Sequence, residues 1–190
     1  MEYFMGRIWF AQGRQYTAGD IVDGPSGTLA YQFTDSILKV TENPLAIGGV
    51  RFKVPSTAGD ITGFAYTSNQ DTTLGQGPLN VGTRKQVFQL VVPVTRADWI
   101  AASANNRPVQ TIAQIKFGWV NERSIVHVNG DLFYQSLEPA VRSFIVGQRY
   151  FNMWGNKQIS ANEERILNFN DRSLMPFATG VEFDNRLLMG

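Results

Sequence analysis

The Asn129-Gly130 step inside Ser124-Ile-Val-His-Val-Asn-Gly-Asp-Leu-Phe-Tyr134 constrains the fold more than any other feature of the chain. Both residues accept the positive φ that a type I′ turn requires, and β-branched and aromatic residues flank them. The stretch therefore reads as a β-hairpin. Similar punctuation recurs elsewhere: Asp23-Gly-Pro-Ser-Gly27 is a turn, while Val50-Arg-Phe-Lys-Val-Pro55 and Ile61-Thr-Gly-Phe-Ala-Tyr66 are short extended runs. Thirteen Phe, six Tyr and four Trp set among eighteen Gly and eight Pro favour strands joined by turns over a helical bundle. The expected fold is mainly β: a β-sandwich or barrel-like core with two short helices and extended terminal arms.

Further strands follow from pattern. Ile115, Phe117 and Trp119 alternate with Lys116, Gly118 and Val120, which predicts a strand with one buried face. Gln86 to Val94 is an apolar strand whose Pro93 marks an edge or an end. The helices are placed by hydroxyl-to-carboxylate capping boxes, Thr95 to Asp98 and Ser160 to Glu163. Ser68 to Asn80 offers little to bury and reads as an exposed loop. After about Tyr150 isolated large apolar residues alternate with polar ones, so residues 1–150 are read as the β-rich core and 151–190 as a C-terminal extension. Hydrophobic residues that persist to Leu187 and Leu188 need cover, from the chain's own core or from a neighbouring subunit.

Composition removes several classes of function. A chain of 190 residues can bury about 70% of its unfolded surface, enough for a core without disulfides or metals. The absence of cysteine excludes thiolate catalysis and thiolate metal sites. A formal charge of +1 supplies no field for gathering a polyanion, so nucleic acid is not expected as a main partner. Leu90 to Val94 is among the longest apolar runs and falls far short of the roughly 20 residues that span a bilayer. The N-terminus has no signal-peptide pattern. A soluble protein without membrane contact is expected.

No constellation with the form of a catalytic, cofactor or metal site emerges. His127, the one histidine, lies between Val126 and Val128 in the predicted hairpin without ligand partners at recognisable spacing. Three carboxylate pairs have structural explanations: Asp20 with Asp23 before a Gly-Pro turn, Glu163 with Glu164 in a first helical turn, and Glu182 with Asp184 on one strand face beside Phe183. Gly75-Gln-Gly77 with Gly82 and Lys85 is not a phosphate loop, because Pro78 interrupts it and a strand follows. Tyr31, Phe33, Phe52, Phe64 and Tyr66 are read as core packing. No enzyme is expected.

At Ile21-Val-Asp-Gly-Pro-Ser-Gly27, Gly48-Gly-Val-Arg-Phe-Lys-Val-Pro55, Ile61-Thr-Gly-Phe-Ala-Tyr66 and Val128-Asn-Gly-Asp-Leu-Phe-Tyr134 the chain resembles the bacteriophage capsid cement, or head decoration, proteins. The likeness lies in short strands, glycine-rich turns and the lack of cysteine, over less than a quarter of the chain. It implies a non-enzymatic virion protein, assembled in the host cytoplasm, that binds the major capsid protein on the outer face of an icosahedral shell. It also implies self-association, with a trimer favoured. Contacts would then fall to the terminal aromatics: Tyr3, Phe4, Trp9 and Phe10 at one end, Trp154, Phe169, Phe177 and Phe183 at the other. The alternatives are a jelly-roll capsid subunit and a β-rich ligand- or glycan-binding module that stacks sugars on Trp99, Trp119 or Trp154.

Overall fold

A computed structural model describes residues 1–5, 7–19, 50–68, 76–93, 98, 101, 109–137, 141–144, 156–160, 162, 169 and 171–190. The architecture is mainly β with a sandwich-like core, and it is assembled from consecutive antiparallel meanders. The first sheet runs β1 (Glu2–Phe4), β2 (Arg7–Gln12), β3 (Gln15–Ala18) and β4 (Val50–Lys53) in that order. The second runs β5 (Ile61–Ser68), β6 (Gln76–Thr83), β7 (Gln86–Val91) and β8 (Gln110–Lys116). In the third, β9 (Ile125–Val128) is the edge, followed by β10 (Asp131–Gln135), β11 (Val141–Phe144) and β12 (Asn156–Gln158). A separate hairpin, β13 (Gly180–Phe183) and β14 (Arg186–Met189), ends the chain.

The second sheet is the middle layer because its strands are apolar on both faces. Phe64, Leu79, Val81, Phe88 and Leu90 point to one side and meet Phe4, Trp9, Tyr16 and Val54 of the first-sheet region. Ala65, Val87 and Ile115 point to the other and meet Trp119, Leu132 and Tyr134. Each fully buried Val, Leu or Phe contributes about 1.5–3 kcal/mol, so both layers are firmly held. Tyr16 joins the aromatic packing, its ring centroid 5.1 Å from that of Phe52 and 6.3 Å from that of Trp9. Burial pushes its phenol pKa up. The middle sheet also buries a polar cross-strand pair, Asn80 opposite Gln89. The Asn80 amide donates to Pro78 O at 3.3 Å, whereas the Gln89 amide finds no hydrogen-bond partner among the described residues.

The chain passes from the middle sheet to the third at Phe117, whose φ of 65° ends the alternation expected through Val120. Trp119 then bridges to Ser136, and Val120 N–H donates to Gln135 O at 3.0 Å. The indole of Trp119 lies flat over Gly82. A Cβ at Gly82 would stand 2.0 Å from Trp119 Cε2, so only glycine admits the ring.

Two expectations require correction. The loop read over Ser68 to Asn80 is replaced from Gln76 onward by β6, in which Leu79 is fully buried; residues 69–75 lie outside the described residues. Pro78 is tolerated there because it falls at a register irregularity between Tyr66 and Ser68 of the neighbouring strand. The two short helices are not borne out: among the described residues no helix reaches seven residues. Asp98 and Ala101 are helical, while most of both segments lies outside the described residues. A capping box defines a helix end without supplying the apolar face that stabilises the rest. The hairpin at Asn129-Gly130 stands as read, with φ of 53° and 83° at the two turn residues.

Candidate interaction surface at the C-terminal module

Residues 171–190 form a module docked on the edge strand β9. Asp171 begins it, with its carboxylate accepting from Ser173 N–H at 2.9 Å and from Ser173 Oγ at 2.7 Å. Those bonds hold the Asp171 pKa below the usual carboxylate range. A 3₁₀ turn, Met175–Phe177, follows and buries Met175. The hairpin then turns at Asp184-Asn185, both in left-handed conformation with φ of 49° and 61°. Glu182 Oε1 accepts from Asn185 N–H at 2.9 Å and steadies the turn. Asp184 is thus a turn residue, which corrects the reading that put it on a strand face with Glu182.

Asn121 fastens the module to the body. It caps the 3₁₀ turn Glu122–Ser124, with Oδ1 accepting from Ser124 N–H at 2.9 Å. Its Nδ2 donates to Pro176 O at 2.7 Å and to Ala178 O at 2.8 Å. A side-chain amide carries two donor hydrogens, and both are committed here to the module's main chain. Between the two 3₁₀ turns lies an open groove of about 670 Å³, lined by Thr62, Asn121, Glu122, Arg123, Pro176 and Phe177. Thr62 Oγ1 donates to Trp119 O at 2.9 Å, which ties the groove floor to the middle sheet. The Met1 amino group lies 3.3 Å from Glu122 Oε2, an exposed contact of small energetic weight. Burial, with help from Glu122, raises the Glu2 pKa against the opposing effects of the Tyr3 backbone and the N-terminal charge.

The groove therefore offers a guanidinium, a carboxylate, main-chain acceptors and an aromatic ring. That set suits an extended polypeptide with one apolar side chain. The module leaves much apolar surface open: Phe177 is 76% exposed, Phe183 69%, Leu174 61%, Val181 57% and Leu188 50%. Phe169 is 86% exposed just before the module. Of the anticipated contact residues, Tyr3, Phe169, Phe177 and Phe183 are exposed and Phe10 is half-buried. Phe4 and Trp9 are core residues with at most 1% exposure, and Trp154 lies outside the described residues. Leu174 and Val181 were not anticipated. The Gly-Val-Glu-Phe alternation carries a strand signal but does not say which face a partner leaves open.

The other candidates are dispersed. His127 lies on β9 with its ring 5.8 Å from Tyr66, and desolvation lowers its pKa. Lys85 donates to Thr57 O in a strand turn. Asp20, Asp23, Glu163 and Glu164 lie outside the described residues, as do Tyr31, Phe33 and Trp99. Trp119 is fully buried, which removes it as a sugar-stacking surface. Among the described residues there is no group of three His, Cys, Asp or Glu placed to hold a metal ion, and no helix long and apolar enough to cross a membrane. Comparison of the chain with protein-family models, with curated proteins and with solved structures finds no match.

Proposed function

We propose that this chain is a non-enzymatic structural protein that attaches to another protein surface through its C-terminal module, and that the surface is the exterior of an icosahedral phage capsid. The observation that carries the first half is the contrast between a closed two-sided core and a terminal module that leaves five large apolar side chains open to solvent. The resemblance to head decoration proteins supplies the second half. Phe177, at the rim of the groove, is the anchor: an exposed ring beside Asn121 and Arg123 suits insertion between apolar side chains of the major capsid protein.

Attachment of this kind stabilises by mass action. A protein that binds the assembled lattice and not free subunits adds its binding free energy to the stability of the shell. Modest contacts suffice when several copies act together at high effective concentration. Co-sedimentation with purified expanded heads tests the proposal. The full chain is expected to pellet with the heads, to saturate at a fixed copy number per capsid and to raise their melting temperature. Failure to pellet with heads of any phage in a broad panel overturns the capsid assignment.

A further inference from the structure

Resting on the reading of the C-terminal module as a contact surface, we infer that the outer face of the β13–β14 hairpin binds the same face of a second copy of this chain. The hairpin is apolar on both sides. Its inner face carries Gly180 and Met189 opposite one another, then Glu182 opposite Leu187. This face lies on β9, where a Cβ at Gly180 would stand 2.5 Å from Val126 Cγ2. The outer face carries Val181 opposite Leu188 and Phe183 opposite Arg186. A strand pair with one solvated face normally alternates apolar and polar. Here the acidic residue falls on the inner side and the aliphatic pair on the outer, where Val181 is 57% and Leu188 50% exposed. The middle sheet of the same chain is also apolar on both faces, and it is covered on both.

The register selects the partner. A two-fold axis along the hairpin sets β13 over β14 of the second copy. Val181 then meets Leu188 of the other chain, and Phe183 meets Arg186. Each aliphatic residue finds an aliphatic residue, and each phenyl ring finds a guanidinium, a favourable cation–π arrangement. The alternative, a two-fold axis across the strands, stacks β14 on β14 in opposite senses and sets each Arg186 against Leu188 of the other chain, leaving the guanidinium without its aromatic partner. An overall formal charge of +1 gives two copies little reason to repel. Val181, Leu188 and Phe183 at the centre, with a polar rim from Asp184, Asn185 and Arg186, make a small interface of the kind that serves weak, transient association. A reversible dimer with a dissociation constant on the order of micromolar is expected.

Sedimentation equilibrium of the full chain from about 1 to 200 μM, a range bracketing that affinity, tests the inference. The wild-type mass is expected to rise with concentration to twice the chain mass of 21.2 kDa. Leu188→Asp is expected to weaken association at least tenfold with the circular dichroism unchanged. Arg186→Glu, an exposed position beside the turn, is expected to weaken it as well and serves if Leu188→Asp fails to fold. A wild-type chain that stays monomeric, one that forms a trimer, or variants that associate as the wild type does, overturn the pairing. A monomer that still pellets with phage heads overturns the pairing alone, whereas a dimer that ignores them supports the pairing and counts against the capsid assignment.

Discussion

Gly82 and Trp119 show how one residue sets the spacing of two layers. The indole occupies the space a side chain at residue 82 would take, with Cζ2 2.3 Å from the position of a Cβ. Gly82→Ala must displace a fully buried ring, and overpacking of this kind destabilises by about 1–3 kcal/mol or more. Denaturant unfolding is expected to show that loss, while Gly130→Ala, which meets nothing within 4 Å and is strained only by its φ of 83°, is expected to lose about 1 kcal/mol. Comparable midpoints for the two variants would contradict this packing. In the sequence Gly82 stands out only through a glycine pattern that fails as a phosphate loop, since nothing local reveals that a tryptophan 37 positions away lies over it. His127 was legible as a lone histidine, and the structure adds a sign. Desolvation beside Tyr66 favours the neutral ring, so its folded pKa lies below 6.5 while the unfolded value stays near it. Between those values the unfolded state binds more protons, so this histidine's contribution to stability is complete above pH 6.5 and declines as pH falls through the window. As the one histidine, its Cε1 proton resonance reports alone, and a proton NMR titration midpoint at or above 6.5 would refute the assignment.

At the scale of elements, hairpins were the most legible feature and edges the least. Asn129-Gly130 announced its turn through backbone chemistry that acts within four residues. Asp184-Asn185 makes a comparable turn with two non-glycine residues at positive φ, a weaker local signal than Asn-Gly because neither residue is a glycine. The strand β6 was hidden by Gly77 and Pro78, residues that signal a loop unless, as here, they form a bulge in which two residues of β6 stand opposite one of β5. The docking of the terminal module depends on Asn121, an ordinary polar residue whose importance appears only when Pro176 and Ala178 fold back to it. Asn121→Ala removes both donors and leaves two carbonyls seeking water. Amide exchange across residues 171–190 is expected to accelerate several-fold, with the protection of β5–β8 unchanged. Uniform acceleration, or none, would show that the module is not held in this way.

For the whole molecule, the mainly β fold class could be read from composition and periodicity, whereas β12, beyond the boundary read at Tyr150, completes the third sheet of the body. The burial of Phe4 and Trp9, against the exposure of Phe177 and Phe183, could not be read in this way. Both pairs are large aromatics near a terminus, and only the three-dimensional placement of neighbouring strands decides which become core. Neither hydrophobic cluster draws a residue from 171–190, so the body should stand without the module. The most direct test is to end the chain after Asn168 and compare it with the full-length protein for folding, self-association and binding to phage heads. Cooperative unfolding and an intact near-ultraviolet signal from Trp9 and Trp119, with association and head binding both lost, are the predicted results. A truncated chain that binds and associates as the full chain does, or one that no longer folds, would contradict the assignment of contact to the C-terminal module.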